Sequence, residues 1–235
     1  MKYLRYPGYH GKEMFFANYG KFVHELAADF YDGIQTAQEL HVRYLRDFKK
    51  ETIAYYPKRS VYMSYFADGA EFIKNIRMPD DATVIAVEKE ARFNVNGIPF
   101  VGYIDRIDRL KSGGLRIVDH KSRKLKPRSG RAKPTKNDQE LDEYLRQLYL
   151  YSIFVEQEYG ELPKTLALNC FRTGTFIEEP FNREAYQNAI SWAEQSVASI
   201  TKEENFAPCM DYFLCNYLCE MQDRCEYYQT NKKGR

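Results

Sequence analysis

"GYIDRIDRLKSGGLRIVDHKS", residues Gly102 to Ser122, decides how this chain folds. Two β-prone runs, "GYIDRIDRL" and "LRIVDHK", flank a Lys-Ser-Gly-Gly turn, whose glycines adopt backbone angles that other residues avoid. Pairing of the two runs through that turn lets Asp105 and Asp119 converge. Residues two apart in a strand share a face, so Asp119 and Lys121 stand side by side while His120 points away. Gly102 lacks a side chain at a point where another group can approach the backbone.

On the N-terminal side, "TVIAVEKEARFNV" is joined to "IPFVGYIDRIDRL" by Asn96-Gly97, a favoured two-residue hairpin turn. The three segments therefore predict an antiparallel meander. Within it, Glu88 of "AVEKE" reads as exposed strand charge, and Asp108 as a solvated partner of Arg106 or Arg109. The first third is mainly helical: Phe22, Val23, Leu26, Ala27 and Phe30 share one face of a helix over 15–31. Further helical patterning covers 37–48 and 70–76. After the meander come a loop, a helix from Asp138 to Tyr159 stopped by Gly160, a strand "KTLALNCF", a helix "NREAYQNAISWAEQSVASI" and a Cys-rich tail. Helices, a meander, then helix, strand and helix make an α/β (α+β) chain and not a bundle.

A chain of 235 residues supports one full core with an appendage. The formal net charge of +2 names no partner by itself. "MKYLRYPGYH" has no apolar run of the signal-peptide kind, and no stretch is long and apolar enough to span a bilayer, which predicts a soluble, cytoplasmic protein without a membrane partner. Four of the five cysteines fall between Cys209 and Cys225, a crowding that points to a metal or cluster in a reducing compartment. Cys170 reads as a small buried thiol.

Two carboxylates at a strand exit repel each other unless a cation lies between them, and hard oxygen donors suit Mg²⁺ or Mn²⁺. A neighbouring lysine can orient a water or offset charge growing on a phosphate oxygen. Together these are the parts needed for metal-assisted phosphodiester hydrolysis. In this order, "YGKFVHELAADF", "GYIDRIDR", "IVDHKS", "QLYLY" and the Cys tail resemble the PD-(D/E)xK nuclease superfamily, specifically its RecB-type exonuclease domains with a C-terminal cysteine cluster. The resemblance runs from 19 to 228.

It implies a restriction-endonuclease-like core: a central mixed sheet flanked by helices over 1–205, with a Cys-rich tail, 206–235, packed on the same domain. It implies that His24, Asp105 and Asp119 hold the ion, that His120 adds its backbone carbonyl, and that Lys121 is the catalytic lysine. Gln147 and Tyr151, four residues apart and so on one helix face, match its Q-x-x-x-Y element and would position the strand. The implied activity is a metal-dependent DNA exonuclease that uses a metal-activated water on single-stranded DNA or DNA with free ends.

The tail spacing C-x5-C-x3-C-x5-C lacks the paired knuckles of zinc ribbons. The resemblance instead implies a 4Fe-4S cluster, with structural zinc as the alternative. Cys215, Cys219 and Cys225 match its C-terminal trio. Relatives of this kind carry the remaining ligand near the N-terminus, whereas no cysteine here precedes Cys170. Either the chain is truncated, Cys209 supplies the fourth thiolate, or no complete cluster forms.

"KSRKLKPRSGRAKPTK" carries eight Lys or Arg and no acid, which predicts a flexible positive rim that gains affinity for nucleic acid by counterion release. Two rival readings remain. One is a catalytically inactive nucleic-acid-binding module of a recombination, phage or defence complex. The other is an interaction protein with structural zinc and an accidental D-x-K.

Overall fold

The computed structural model describes residues 8–54, 58–205, 207–208 and 210–228. Three helices, α1 (Phe15–Tyr31), α2 (Ala37–Glu51) and α3 (Arg59–Asn75), precede the meander of β1 (Ala82–Val95), β2 (Ile98–Leu110) and β3 (Leu115–Lys121). Then follow α4 (Lys136–Tyr159), β4 (Thr165–Cys170), β5 (Thr175–Pro180), α5 (Arg183–Lys202) and a π-helical turn at Leu214–Leu218.

The sheet runs β1-β2-β3-β4-β5 and is antiparallel except where β4 lies parallel to β3. That single parallel pair requires a crossover, which α4 supplies. The result is the mixed, helix-flanked sheet of a restriction-endonuclease-like fold. Two apolar layers enclose it. Leu141, Leu145 and Leu148 of α4, with Ala189 and Ala193 of α5, meet Ile107, Ile117 and Leu168 of the sheet. The layer of α1–α3 is mostly aromatic, with Phe15, Tyr19, Phe22, Tyr44 and Phe48 closing on Phe171.

Several local features follow from chemistry visible in the chain. Thr36 and Thr135 cap α2 and α4 through reciprocal boxes with Glu39 and Asp138, and Gly160 ends α4 in the left-handed conformation (φ 75°). The hairpin turn at Asn96-Gly97 has φ of 47° and 86°, as a type I′ turn demands. Other features depart from expectation. The third helix begins at Arg59, well before Ala70. The strand β5, "TFIEEP", has no counterpart among the predicted elements: it is an edge strand with only Ile177 buried, so its apolar signal is faint.

Asp108 is not solvated. It is completely buried, with both oxygens near Arg106 (2.9 and 3.0 Å) and Oδ2 also accepting from Arg116 Nε at 3.0 Å. Arg116 continues to Asp81 and Glu178. A carboxylate without solvent must be met by cations, and two strands supply them.

The Cys-rich segment folds against α1: Lys12 N–H donates to Glu220 O (2.9 Å), and the Phe16 and Phe213 rings lie 5.6 Å apart. No helix among the described residues is long and apolar enough to cross a membrane.

Candidate active site

Three adjacent strands deliver carboxylates to one site: Glu88 and Asp105 from mid-strand and Asp119 from near the end of β3. The β2/β3 register pairs Arg106 with Val118, so the next step sets Asp105 opposite Asp119. The Asp105 side chain then crosses to the backbone of the neighbouring strand, where Oδ2 accepts from His120 N–H at 2.5 Å.

The third carboxylate is Glu88. In β1 the register slips by one residue between Val84 and Ala86, so Ile85 is an extra residue on that strand. Without the bulge, Glu88 would fall opposite Ile104; with it, Glu88 aligns with Asp105. Glu88 also has φ of 43°, a conformation that a glutamate adopts only at a cost and that the surrounding structure must enforce. His24 descends from α1 and places Nδ1 3.4 Å from Asp105 Oδ1. Ligand atoms of His24, Glu88 and Asp105 all lie within 4.8 Å of one another, the one such group of three among the described residues.

Asp119 lies outside that group of three and contacts Lys121. Lys121 Nζ lies 2.8 Å from Asp119 Oδ2 and 3.1 Å from Oδ1, 3.4 Å from Gln147 Oε1 and 5.0 Å from the Tyr144 ring centre. Gln147 in turn donates to the Tyr151 hydroxyl at 2.8 Å, and the Tyr151 ring rests on Gly102. The lysine is therefore aimed by a chain of contacts that ends on the backbone of β2.

The charges are unbalanced in a way that invites a cation. Burial raises the Asp119 carboxyl, Lys121 opposes this, and Asp105 adds to it, leaving Asp119 at about 6. Burial and the charges of Asp105 and Asp119 raise Glu88 as well. Burial also works against Asp105, but the hydrogen bond and charge of His24 win and hold it below the usual carboxylate range. For His24, burial disfavours the imidazolium, and the hydrogen bond and charge of Asp105 more than offset it. Lys121 is desolvated, yet Asp119 keeps its ammonium above the ordinary value. Such splitting is the signature of like charges crowded in a low-dielectric site.

All the predicted residues of this site lie together. Beyond its backbone, His120 also places its side chain: the ring is buried and stacks on Tyr31 (5.7 Å, 8°). Asn169 Nδ2 is 3.0 Å from its Nδ1, and burial drives the imidazole down to about 3. Tyr151 is buried with its ring on Gly102, so it serves the site through Gln147. Glu88 is an exposed strand residue, as expected, and in addition its carboxylate joins His24 and Asp105. A sequence signal did exist: "VIAVE", like "RIVD", runs apolar residues straight into an acid.

The basic loop is tied at several points by hydrogen bonds. Asp138 accepts from Ser129 N–H (2.8 Å), Ser129 Oγ (2.7 Å), Thr135 N–H (2.7 Å) and Thr135 Oγ1 (2.7 Å). These hydrogen bonds hold its carboxyl well below the usual range. Asn137 clasps both backbone groups of Lys126, and Leu125 is buried. Among the described residues, Lys126, Arg131, Lys133 and Lys136 make no ion pair, while Arg123, Lys124 and Arg128 do.

A sequence model of the PD-(D/E)XK nuclease superfamily matches residues 3–226. The chain belongs to that superfamily. Comparison with curated proteins gives no match. As a PD-(D/E)XK protein, the chain falls among metal-dependent nucleases, and a donor set of two or three carboxylates with one imidazole has the hard-ligand chemistry such an ion takes. Among the described tail residues, Cys215, Cys219 and Cys225 are partly exposed; Cys209 lies outside the described residues.

Proposed function

We propose that this protein is a DNA exonuclease of the RecB type, hydrolysing phosphodiester bonds at single-stranded or free DNA ends. The observation that carries the reading is the convergence of Glu88, Asp105 and Asp119, from three adjacent strands, on His24 and Lys121. His24, Glu88 and Asp105 would hold Mg²⁺ or Mn²⁺ together with Asp119 and the His120 carbonyl. When bound, the ion supplies positive charge that lowers the pKa of a water and balances charge on the phosphoryl oxygens.

The protein's own groups do the remainder. Lys121 is an ammonium in a largely desolvated position, where its field acts on charge that grows at a phosphate oxygen. Asp119 and Gln147 restrict where Nζ can go, and Tyr151 fixes Gln147, so little reorganisation accompanies the reaction. Lys126, Arg131, Lys133 and Lys136 offer uncompensated charge to the phosphate backbone without reading sequence.

The cysteines Cys209, Cys215, Cys219 and Cys225 are proposed as ligands of a 4Fe-4S cluster, with structural zinc as the alternative. Thiolates on one short segment packed against α1 suit a thiophilic centre that ties the tail to the core. Iron and zinc analysis of the purified protein decides between them.

The deciding test of activity is cleavage of end-labelled single- and double-stranded DNA with Mn²⁺ or Mg²⁺, with EDTA and Lys121→Ala as controls. Metal-dependent shortening from the ends that disappears in the variant supports the reading. Metal-independent cleavage, or equal cleavage by the variant, overturns it.

A further inference from the structure

On the side of α4 away from Lys121, a groove of about 670 Å³ runs between α4 and α5. Leu145, Tyr149 and Ala189 form its floor, all buried. At one end stands Trp192, the protein's single tryptophan, 46% exposed and covered on one side by the Arg146 guanidinium at 4.6 Å. A large aromatic left this open beside a buried apolar floor offers a ring face to the groove.

The pairing around Arg146 is more telling. Asp142 lies four residues before it on α4, the spacing at which an acid and an arginine ordinarily pair. Arg128, arriving from the basic loop, takes Asp142 instead (2.8 Å) and Glu179 as well (2.9 and 3.0 Å). Both acids of the groove are thereby neutralised. Arg146 makes no ion pair among the described residues and lies on Trp192 instead. The exposed amide of Asn188 also lines the groove and makes no hydrogen bond among them.

We infer that this groove binds single-stranded nucleic acid, with a base stacked at Trp192 and a phosphate met by Arg146. An aromatic platform beside an uncommitted guanidinium is what sequence-tolerant strand binding uses, because every base has a π-face and every linkage a charge. A duplex keeps its internal base faces stacked on one another and offers Trp192 at most a terminal pair, so closing both ends with hairpin loops removes even that. Arg146 and Gln147 are consecutive on α4, about 100° apart around the helix axis. A strand crossing α4 therefore passes from the groove towards Lys121. The choice of occupant rests on the nuclease reading, and its consequence is that substrate is held on both sides of α4.

Because Trp192 is the only tryptophan, its fluorescence reports on this groove alone. The whole protein in EDTA and low salt is titrated with a 12-nucleotide oligothymidylate and, separately, with a duplex of the same length closed at both ends by hairpin loops. Saturable quenching by the single strand, absent with the duplex, is expected. Binding of a labelled oligonucleotide, followed by anisotropy, should weaken about 5- to 150-fold in Trp192→Ala, the range of one lost base stack. It should weaken in Arg146→Gln too, a variant that retains the helix.

Anisotropy showing binding with unchanged tryptophan emission overturns the inference. So do equal quenching by the duplex, undiminished binding by both variants, and absence of any binding by the wild type. Cleavage with Mn²⁺ is scored separately: a protein that cuts without quenching loses only the groove, and one that quenches without cutting loses only the hydrolase reading.

Discussion

Gly102 makes room for Tyr151: a Cβ on Gly102 would stand 2.6 Å from Tyr151 Cε1 and 2.7 Å from its hydroxyl oxygen. Contacts that close do not persist, so Gly102→Ala must displace the ring, and with it the hydroxyl that holds Gln147. Overpacking of this kind costs about 1–3 kcal/mol, which a thermal melt will show. A displacement near 1 Å in groups that aim Lys121 costs on the order of 10²-fold in rate. Unchanged melting and cleavage together would mean that Tyr151 has slack and that the contact chain to Lys121 is ornamental.

Lys121→Met separates chemistry from packing. Loss of one group that meets charge in the transition state lowers turnover about 10²–10³-fold. The variant should also melt lower than wild type in EDTA, because Asp119 is left buried without its cation. Added Mn²⁺ should recover part of that loss, since the ion supplies charge near the same carboxylate. Wild-type turnover in the variant removes Lys121 from the mechanism.

The parts of the site that were legible in the sequence are those encoded by residues close together in the chain. Asp105, Asp119 and Lys121 are fixed by one hairpin, and Gln147 and Tyr151 by one helical turn. The position of Glu88 depends on a bulge at Ile85, which shifts register without leaving a glycine or proline to mark it. Its strained φ is likewise imposed by tertiary structure. Asp108 departs from its expected solvated place because charged residues suggest solvent, whereas it is enclosed by Arg106 and Arg116. The loop, in turn, is gathered by Asp138 and Asn137, acid and amide groups lying outside the basic run itself. Composition counts charges; only the fold assigns their partners.

Glu88→Gln tests the residue that the motif pattern passed over. If Glu88 contributes an oxygen to the ion, its removal should weaken Mn²⁺ binding by about tenfold or more, measured by calorimetry. The same change should raise the melting temperature in EDTA, because it removes one of three crowded carboxylates whose burial lifts its pKa. A binding site that stabilises the protein only when filled gives these opposite signs. Unchanged Mn²⁺ affinity would confine the ion to His24, Asp105 and Asp119.

The pH dependence of metal binding follows from Asp119. Its carboxyl, held at about 6, is above the ordinary value near 3.9. The folded protein thus binds a proton more tightly than the unfolded chain. That contribution to stability is complete below about pH 4 and is lost as pH rises through about 6. Mn²⁺ competes with this proton and with the one on His24, whose pKa is also raised, so its affinity should climb through about 6 and go on climbing until His24 is neutral. Calorimetry in buffers of different ionisation heat will count the proton released; no release at pH 5.5 would place Asp119 outside the binding site.

Asp138→Ala releases the loop that presents Arg131 and Lys133. Four hydrogen bonds from Ser129 and Thr135 converge on this one carboxylate, and its depressed pKa means that they stabilise the fold above the ordinary carboxylate range. That stability is lost as pH falls through the depressed folded-state value. The variant should therefore melt below wild type at neutral pH, and the two should converge in strong acid. Trypsin should cut after Arg131 several-fold faster in the variant, since local opening exposes the chain. DNA affinity should fall with the order of the loop while its salt dependence persists, because the cations remain but are no longer held in one arrangement. Identical proteolysis of the two proteins would show that the 129–135 segment is fixed by something other than Asp138.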